Sequence, residues 1–149
     1  MMPLSRLLVA VAIGSLLVPA TASAQSWRQI YSDSQLNVSV DTSRVSRAQD
    51  GAYTVMMRWN YARPRLNEER KQYTRLIQQV QVRCTPTPVR VKRFAHTLYN
   101  ATGGLVEEAR PLTAAQVRMM DWERLPTRSE GARVYPQVCR TLTTRSASR

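Results

Sequence analysis

Residues 72–84 read QYTRLIQQVQVRC, and the alternation within them decides the fold. Leu76, Gln78, Val80, Val82 and Cys84 fall on one side of an extended chain; Tyr73, Arg75, Ile77, Gln79, Gln81 and Arg83 fall on the other. A period of two marks a strand with one face against a core, and here the core side ends in a cysteine. The other cysteine, Cys139, lies between Val134 and Leu142, where the period changes. At 100° per residue Val134, Tyr135, Val138, Cys139 and Leu142 span an arc of ~140°, the stripe of an amphipathic helix. Each cysteine therefore sits on the apolar side of its own element.

The N-terminus bears on the state of those cysteines. Arg6 precedes an uncharged run from Leu7 to Val18, and Ala22-Ser23-Ala24 offers small residues at the positions a signal peptidase reads. The reading is a secretory signal over 1–24, with the mature chain starting at Gln25. The run is shorter than the ~20 residues a bilayer span needs. No cysteine follows it to accept a lipid, and no later stretch is apolar enough to cross a membrane. The expectation is a periplasmic or secreted protein that is not a lipoprotein. In an oxidising compartment an isolated pair of cysteines bridges as a rule. The closed loop holds roughly 55 residues, for which chain entropy gives ~4 kcal/mol of stabilisation. A metal or redox pair is the competing reading, but neither a C-x-x-C spacing nor a nearby histidine supports it.

Working outward from 72–84, Trp27–Tyr31 and Leu36–Asp41 read as strands around the turn residues Asp33-Ser34. Ala52–Tyr61 is the strongest strand, with Tyr53, Val55, Met57, Trp59 and Tyr61 on one face. Ala62–Lys71 reads as a charged connection. Val89–Tyr99 resumes the strand pattern with Val89, Val91, Ala95 and Tyr99 together, and Arg93 marks a bulge or an edge. Asn100–Gly104 is a turn back into Leu105–Arg110, a hairpin. Val117–Leu125 reads as a last strand. Ser129 with Glu130 starts a helix that carries Pro136 on its polar side, and Thr143–Arg149 reads as a disordered polar tail. The fold class expected is α+β: a single antiparallel sheet of about six strands, with a C-terminal helix packed on one face and tied there by Cys84 and Cys139. One domain over 25–142 accounts for the chain between signal and tail.

Catalytic chemistry finds little support. A serine triad needs a histidine, and the one histidine, His96, lies on a strand beside Phe94 and Leu98, as a structural residue would. A zinc site needs three or four converging ligands. Glu107 and Glu108 are adjacent in a strand and point to opposite faces, so they make a poor acid and base pair. Gly103-Gly104 is a turn and no phosphate-loop pattern occurs. No catalytic residue, cofactor or metal is therefore assigned.

Charge is the remaining signal. Lys plus Arg number 22 against 10 acids, a net of +12, and only Lys71 and Lys92 are lysines. Arginine pairs bidentately with carboxylate and phosphate and stacks on aromatic rings, although codon bias would produce the same composition. The sheet face away from the helix would carry Arg58, Arg75 and Arg83 with Tyr73 and Ile77. The run Arg90-Val91-Lys92-Arg93 beside Phe94 extends the basic surface. Such a run could follow a nucleic-acid backbone, but export argues against that partner.

The order of these marks resembles the bacterial surface-adhesin protein E family. Trp27 opens the domain, Val38-Ser39-Val40-Asp41 resembles its second strand, and Val55–Trp59 the next. Val82-Arg83-Cys84, then Leu98-Tyr99 with Gly103-Gly104, resemble its cysteine strand and glycine-turned hairpin. Trp122, Pro126, Ser129 and Val138-Cys139 resemble its closing segment. The resemblance implies a sheet with a disulfide-tied C-terminal helix. It also implies a non-enzymatic envelope protein that adheres to host proteins and can form homodimers. This chain departs from the family in lacking a lipid-accepting cysteine, in the charged stretch Arg63–Lys71 and in Pro136. The function expected is binding of a protein or an anionic envelope or host polymer through the basic face. A periplasmic assembly partner of other envelope proteins, or a small exported hydrolase, are the alternatives.

Overall fold

The computed structural model describes residues 26–146; the expected signal segment lies outside them, as do the last three residues. The chain forms one sheet of antiparallel pairs in the order β1-β2-β4-β5-β6-β7. These strands are β1 (Trp27–Ser32), β2 (Leu36–Asp41), β4 (Tyr53–Leu66), β5 (Gln72–Arg83), β6 (Arg90–Tyr99) and β7 (Leu105–Ala109). Two two-residue strands lie off that path: β3 (Ser46–Arg47) pairs with β4, and β8 (Glu123–Arg124) with β6. The count is therefore eight strands and corrects the expected six or so. A strand of two residues has no period for a pattern to register.

β4 and β5 form the spine. Val55↔Val80 and Tyr53↔Val82 face each other across it, and Val55, Met57, Val80 and Val82 are wholly excluded from solvent. β4 runs on to Leu66 through an irregularity between Asn60 and Arg65. Ala62–Leu66, read as connection, is thus strand. In β6 the register steps from Gln79↔Ala95 to Val80↔Arg93, leaving Phe94 as an extra residue. An inserted residue exchanges the faces beyond it. His96 and Leu98, opposite Gln78 and Leu76, therefore lie on the core side, while Ala95 and Tyr99 do not. This corrects the grouping of Ala95 and Tyr99 with Val91. The hairpin into β7 closes through Gly103, whose φ of +85° suits glycine, with Asn100 Oδ1 accepting from the Gly104 and Thr102 amides.

The segment expected to be the last strand, Val117–Leu125, is strand only at Glu123–Arg124 (β8); its first three residues belong to the helix α1 (Ala114–Met119). Thr113 Oγ1 caps the Gln116 amide and Gln116 returns to the Thr113 amide, a capping box. The long helix α2 (Glu130–Ser146) follows, begun by Ser129 Oγ accepting from the Ala132 amide. Val134, Tyr135, Val138, Cys139 and Leu142 are buried against the β2, β4, β5 and β6 core. Pro136 lies inside α2 on its exposed side. It removes one helix hydrogen bond, which costs less where water replaces the lost donor. Thr143 belongs to α2, its hydroxyl donating to the Cys139 carbonyl at 2.9 Å, so the helix runs past the residue at which the tail is expected to start. Arg133 donates to the Tyr31 hydroxyl and to Asp33, fastening the helix to the β1–β2 turn.

Cys84 and Cys139 are bridged, with Cα atoms 5.6 Å apart. The bridge joins the end of β5 to the middle of α2. Replacing both cysteines by alanine is expected to cost about 2–4 kcal/mol. Amide exchange should rise in α2 before it rises in β4 and β5; equal acceleration in helix and sheet would contradict the clamp.

Candidate functional site

The face away from α2 carries the basic residues, and strand register sets their spacing. Arg83 stands opposite Arg90, and Arg90 opposite Arg124. Directly opposed residues share a face, about 4.5–5.5 Å apart at Cα. Three guanidinium side chains thus start from one line across β5, β6 and β8. Like charges so placed repel, and each is treated differently. Arg83 Nη2 donates to Asp50 Oδ2 at 2.6 Å, and its guanidinium lies 4.1 Å from the Trp122 ring centroid. Arg90 is half-buried and Arg124 exposed; neither pairs with a carboxylate among the described residues. Arg124 was absent from the sequence-predicted surface, since its place in the row depends on a two-residue strand.

Trp122 reaches the row because the chain from Arg110 to Asp121 is pinned across this face. Lys92 does the pinning. Only 5% exposed, its ammonium donates to the carbonyls of Val117 at 2.9 Å and Arg118 at 3.4 Å. A cation at a helix C-terminus meets the orphan carbonyls and the negative end of the helix dipole. Val117, the buried residue of α1, seals the contact. Lys92 Nζ also lies 4.9 Å from the Trp122 centroid, so the indole contacts both Lys92 and Arg83.

Farther along the face Arg75 lies over Tyr99, its direct partner, at 5.7 Å. Arg58 lies over Trp27 at 4.6 Å, and its Nε is buried without a hydrogen-bond partner among the described residues. Stacking on a ring holds a guanidinium in place while leaving its charge uncompensated. Of the seven residues read as the ligand surface, four are brought to this face with access to it: Arg58, Arg75, Arg83 and Arg90. Lys92 is buried under α1. Arg93, opposite Val80 and two residues from Val91, lies on the helix face by simple alternation and pairs with Glu123 at 3.1 Å. Tyr73 meets Tyr61 edge-on, centroids 5.8 Å apart, at the hairpin end of the ladder.

His96 Nε2 shares a hydrogen bond of 2.7 Å with Glu107 Oε1, and Glu107 Oε2 accepts from Asn67 Nδ2 at 2.5 Å. The bonds to His96 and then Asn67 hold Glu107 below the usual carboxylate range. They also tie the β4–β5 hairpin to β6 and β7. Among the described residues no cluster of His, Cys, Asp and Glu could hold a metal ion. No model of a known protein family matches the chain, and no curated protein or solved structure does either.

Lys92→Met, which keeps the bulk and removes the donors, is expected to cost about 1–2 kcal/mol and to shift the Trp122 indole resonance while the sheet persists. An unmoved Trp122 signal would show that Lys92 does not hold the segment. Asp50 is held below the usual carboxylate range, first by the Ala52 amide and then by Arg83. A carboxyl depressed by folding contributes stability above its unfolded value of about 3.9 and loses it as pH falls through the lower folded value. Arg83 resonances should therefore move below about pH 4, and Asp50→Asn should abolish that step; a step surviving in the variant would assign it elsewhere.

Proposed function

We propose that the chain is an exported, non-enzymatic binding protein of the surface-adhesin protein E kind, holding an anionic envelope or host ligand on its open sheet face. The reading is supported by a sheet with a disulfide-tied C-terminal helix, the arrangement that the resemblance implies. One observation carries it above the others: the row Arg83, Arg90 and Arg124. Opposed like charges weaken a sheet, and an anionic ligand would relieve that repulsion. Guanidinium groups pair with carboxylate, sulfate or phosphate through two parallel hydrogen bonds. Arg75 and Arg58, stacked on Tyr99 and Trp27, extend the cationic surface along β5 and β4, as an elongated ligand would require. Exposed charges are screened over about 8 Å at physiological ionic strength, so affinity should fall as salt rises.

The test uses oxidised protein from Gln25 onward with dextran sulfate and poly-glutamate as probes at ~150 mM salt. Arg90→Glu with Arg124→Glu is expected to weaken capture at least tenfold, about 1.4 kcal/mol. Arg128→Glu with Arg140→Glu makes the same change in net charge at exposed positions outside the row and should change it less than twofold. Equal losses in the two variants would reduce the effect to net charge and remove the row from consideration.

A further inference from the structure

A second concavity lies on the other side of the sheet, at the start of α2, and the arginine row takes no part in it. It has a volume of about 330 Å³, at the small end of ordinary ligand clefts, roughly 300–1,000 Å³. Trp59, Tyr61 and Tyr135 give it aromatic walls; Gln78, Arg93 and Glu123 contribute polar groups. The Trp59 and Tyr135 rings meet at 6.0 Å and 57°. Gln78, itself buried, donates to the Tyr135 hydroxyl at 3.1 Å. Gly131 lines its helix end, where a Cβ would stand 3.2 Å from Leu125 and 3.4 Å from Tyr135 and so press on the cleft's wall.

Three observations narrow what such a cleft takes. Its charges cancel in pairs, Arg93 with Glu123 and Glu130 with Arg65, so it selects for no net charge. Beside the hydroxyls of Ser129 and the two tyrosines, its polar side chains are an amide, a guanidinium and carboxylates, planar groups with two or more hydrogen-bonding positions each. Those groups suit vicinal hydroxyls, while aromatic walls suit the apolar face of a saturated ring. Lastly, Trp59 is 4% exposed and its indole Nε1 has no acceptor among the described residues. A buried donor left unpaired is costly; a carbonyl oxygen brought by a ligand would satisfy it after a small opening of the wall.

We infer that this cleft binds an uncharged sugar ring bearing a carbonyl, of which an N-acetylated hexosamine is the matching class. The acetamido oxygen accepts from Trp59, its methyl group lies on the apolar lining, and ring hydroxyls pair with Arg93 and Glu123. This inference is independent of the proposal for the open face, because it uses the opposite side of the sheet and a ligand without charge.

The experiment titrates oxidised protein from Gln25 onward with N,N′-diacetylchitobiose, followed by tryptophan fluorescence and by amide chemical shifts. Cellobiose, which has no acetamido group, and inorganic phosphate are run beside it. The expected result is saturation in the millimolar range or tighter, about −4 kcal/mol, with shifts in the first turn of α2 and in β4–β5. Cellobiose should bind at least tenfold more weakly and phosphate should not compete. Trp59→Phe, which keeps a ring and removes the donor, should weaken binding about tenfold. Arg93→Ala, at a half-exposed side chain whose loss leaves the core intact, should do the same, and Arg90→Glu with Arg124→Glu should have no effect. Lack of saturation in folded protein, equal affinity for cellobiose, or binding unchanged in the Arg93 variant would each overturn the inference. The arginine-row test would stand whichever result is found.

Discussion

Covering the apolar face of the β4–β5 ladder is the requirement on which the rest of the structure depends. Val55, Met57, Val80 and Val82 have no solvent exposure, and each side chain so buried contributes about 1.5–3 kcal/mol. α2 supplies the cover through Val134, Val138 and Leu142. Most of a helix's stability in a protein comes from the packing of its apolar face rather than from propensity, and Pro136 weakens this one further. Its order must come from the surface it covers, and the Cys84–Cys139 bridge keeps it close to that surface. Once one face is satisfied by the helix, the other is free of any demand for apolar residues.

That freedom is used in a particular way. Arg58, Arg75 and Arg83 rest on Trp27, Tyr99 and Trp122, and of these Arg83 also has a carboxylate partner, Asp50. Salt bridges would neutralise such residues, whereas aromatic stacking orients them and leaves the charge in the field. A stacked guanidinium has also surrendered part of its rotamer freedom before any ligand arrives, so less remains to be lost on binding. The α1 excursion serves this face as well, because Lys92 and Val117 hold the segment that presents Trp122 to Arg83.

Much of this was legible in the chain, and the exceptions have physical causes. The long strands announced themselves because one face is buried along most of their length, as the alternation through Val55, Met57 and Trp59 shows. The helix declared Cys139 inward for the same reason. The start of Val117–Leu125 reads as strand because Val117 and Met119 imitate a period of two; the capping pair Thr113 and Gln116 is the available counter-signal for helix there, while Glu123–Arg124 is strand as expected. The burial of Lys92 carried no local mark, since a lysine becomes a helix cap only when the path of a distant segment puts carbonyls within reach. Arg124 joined the row through pairing alone. The cleft at the start of α2 was invisible because Trp59, Tyr135 and Arg93 come from three separate elements.

The Phe94 bulge links these outcomes. In a regular strand Arg90, Lys92 and Phe94 would share one side along its whole length, and the hydrophobic pattern would keep a single phase. One inserted residue resets that phase halfway along β6. Arg90 and Lys92 then serve the open face while His96 and Leu98 serve the covered one, where Arg93 lines the cleft with Tyr135. A single strand thereby holds a dual allegiance, and its change of sides is paid in one residue of backbone rather than in a new element. Evolution could move chemistry from one surface of this molecule to the other by sliding that insertion along β6, without redesigning either the sheet or the helix.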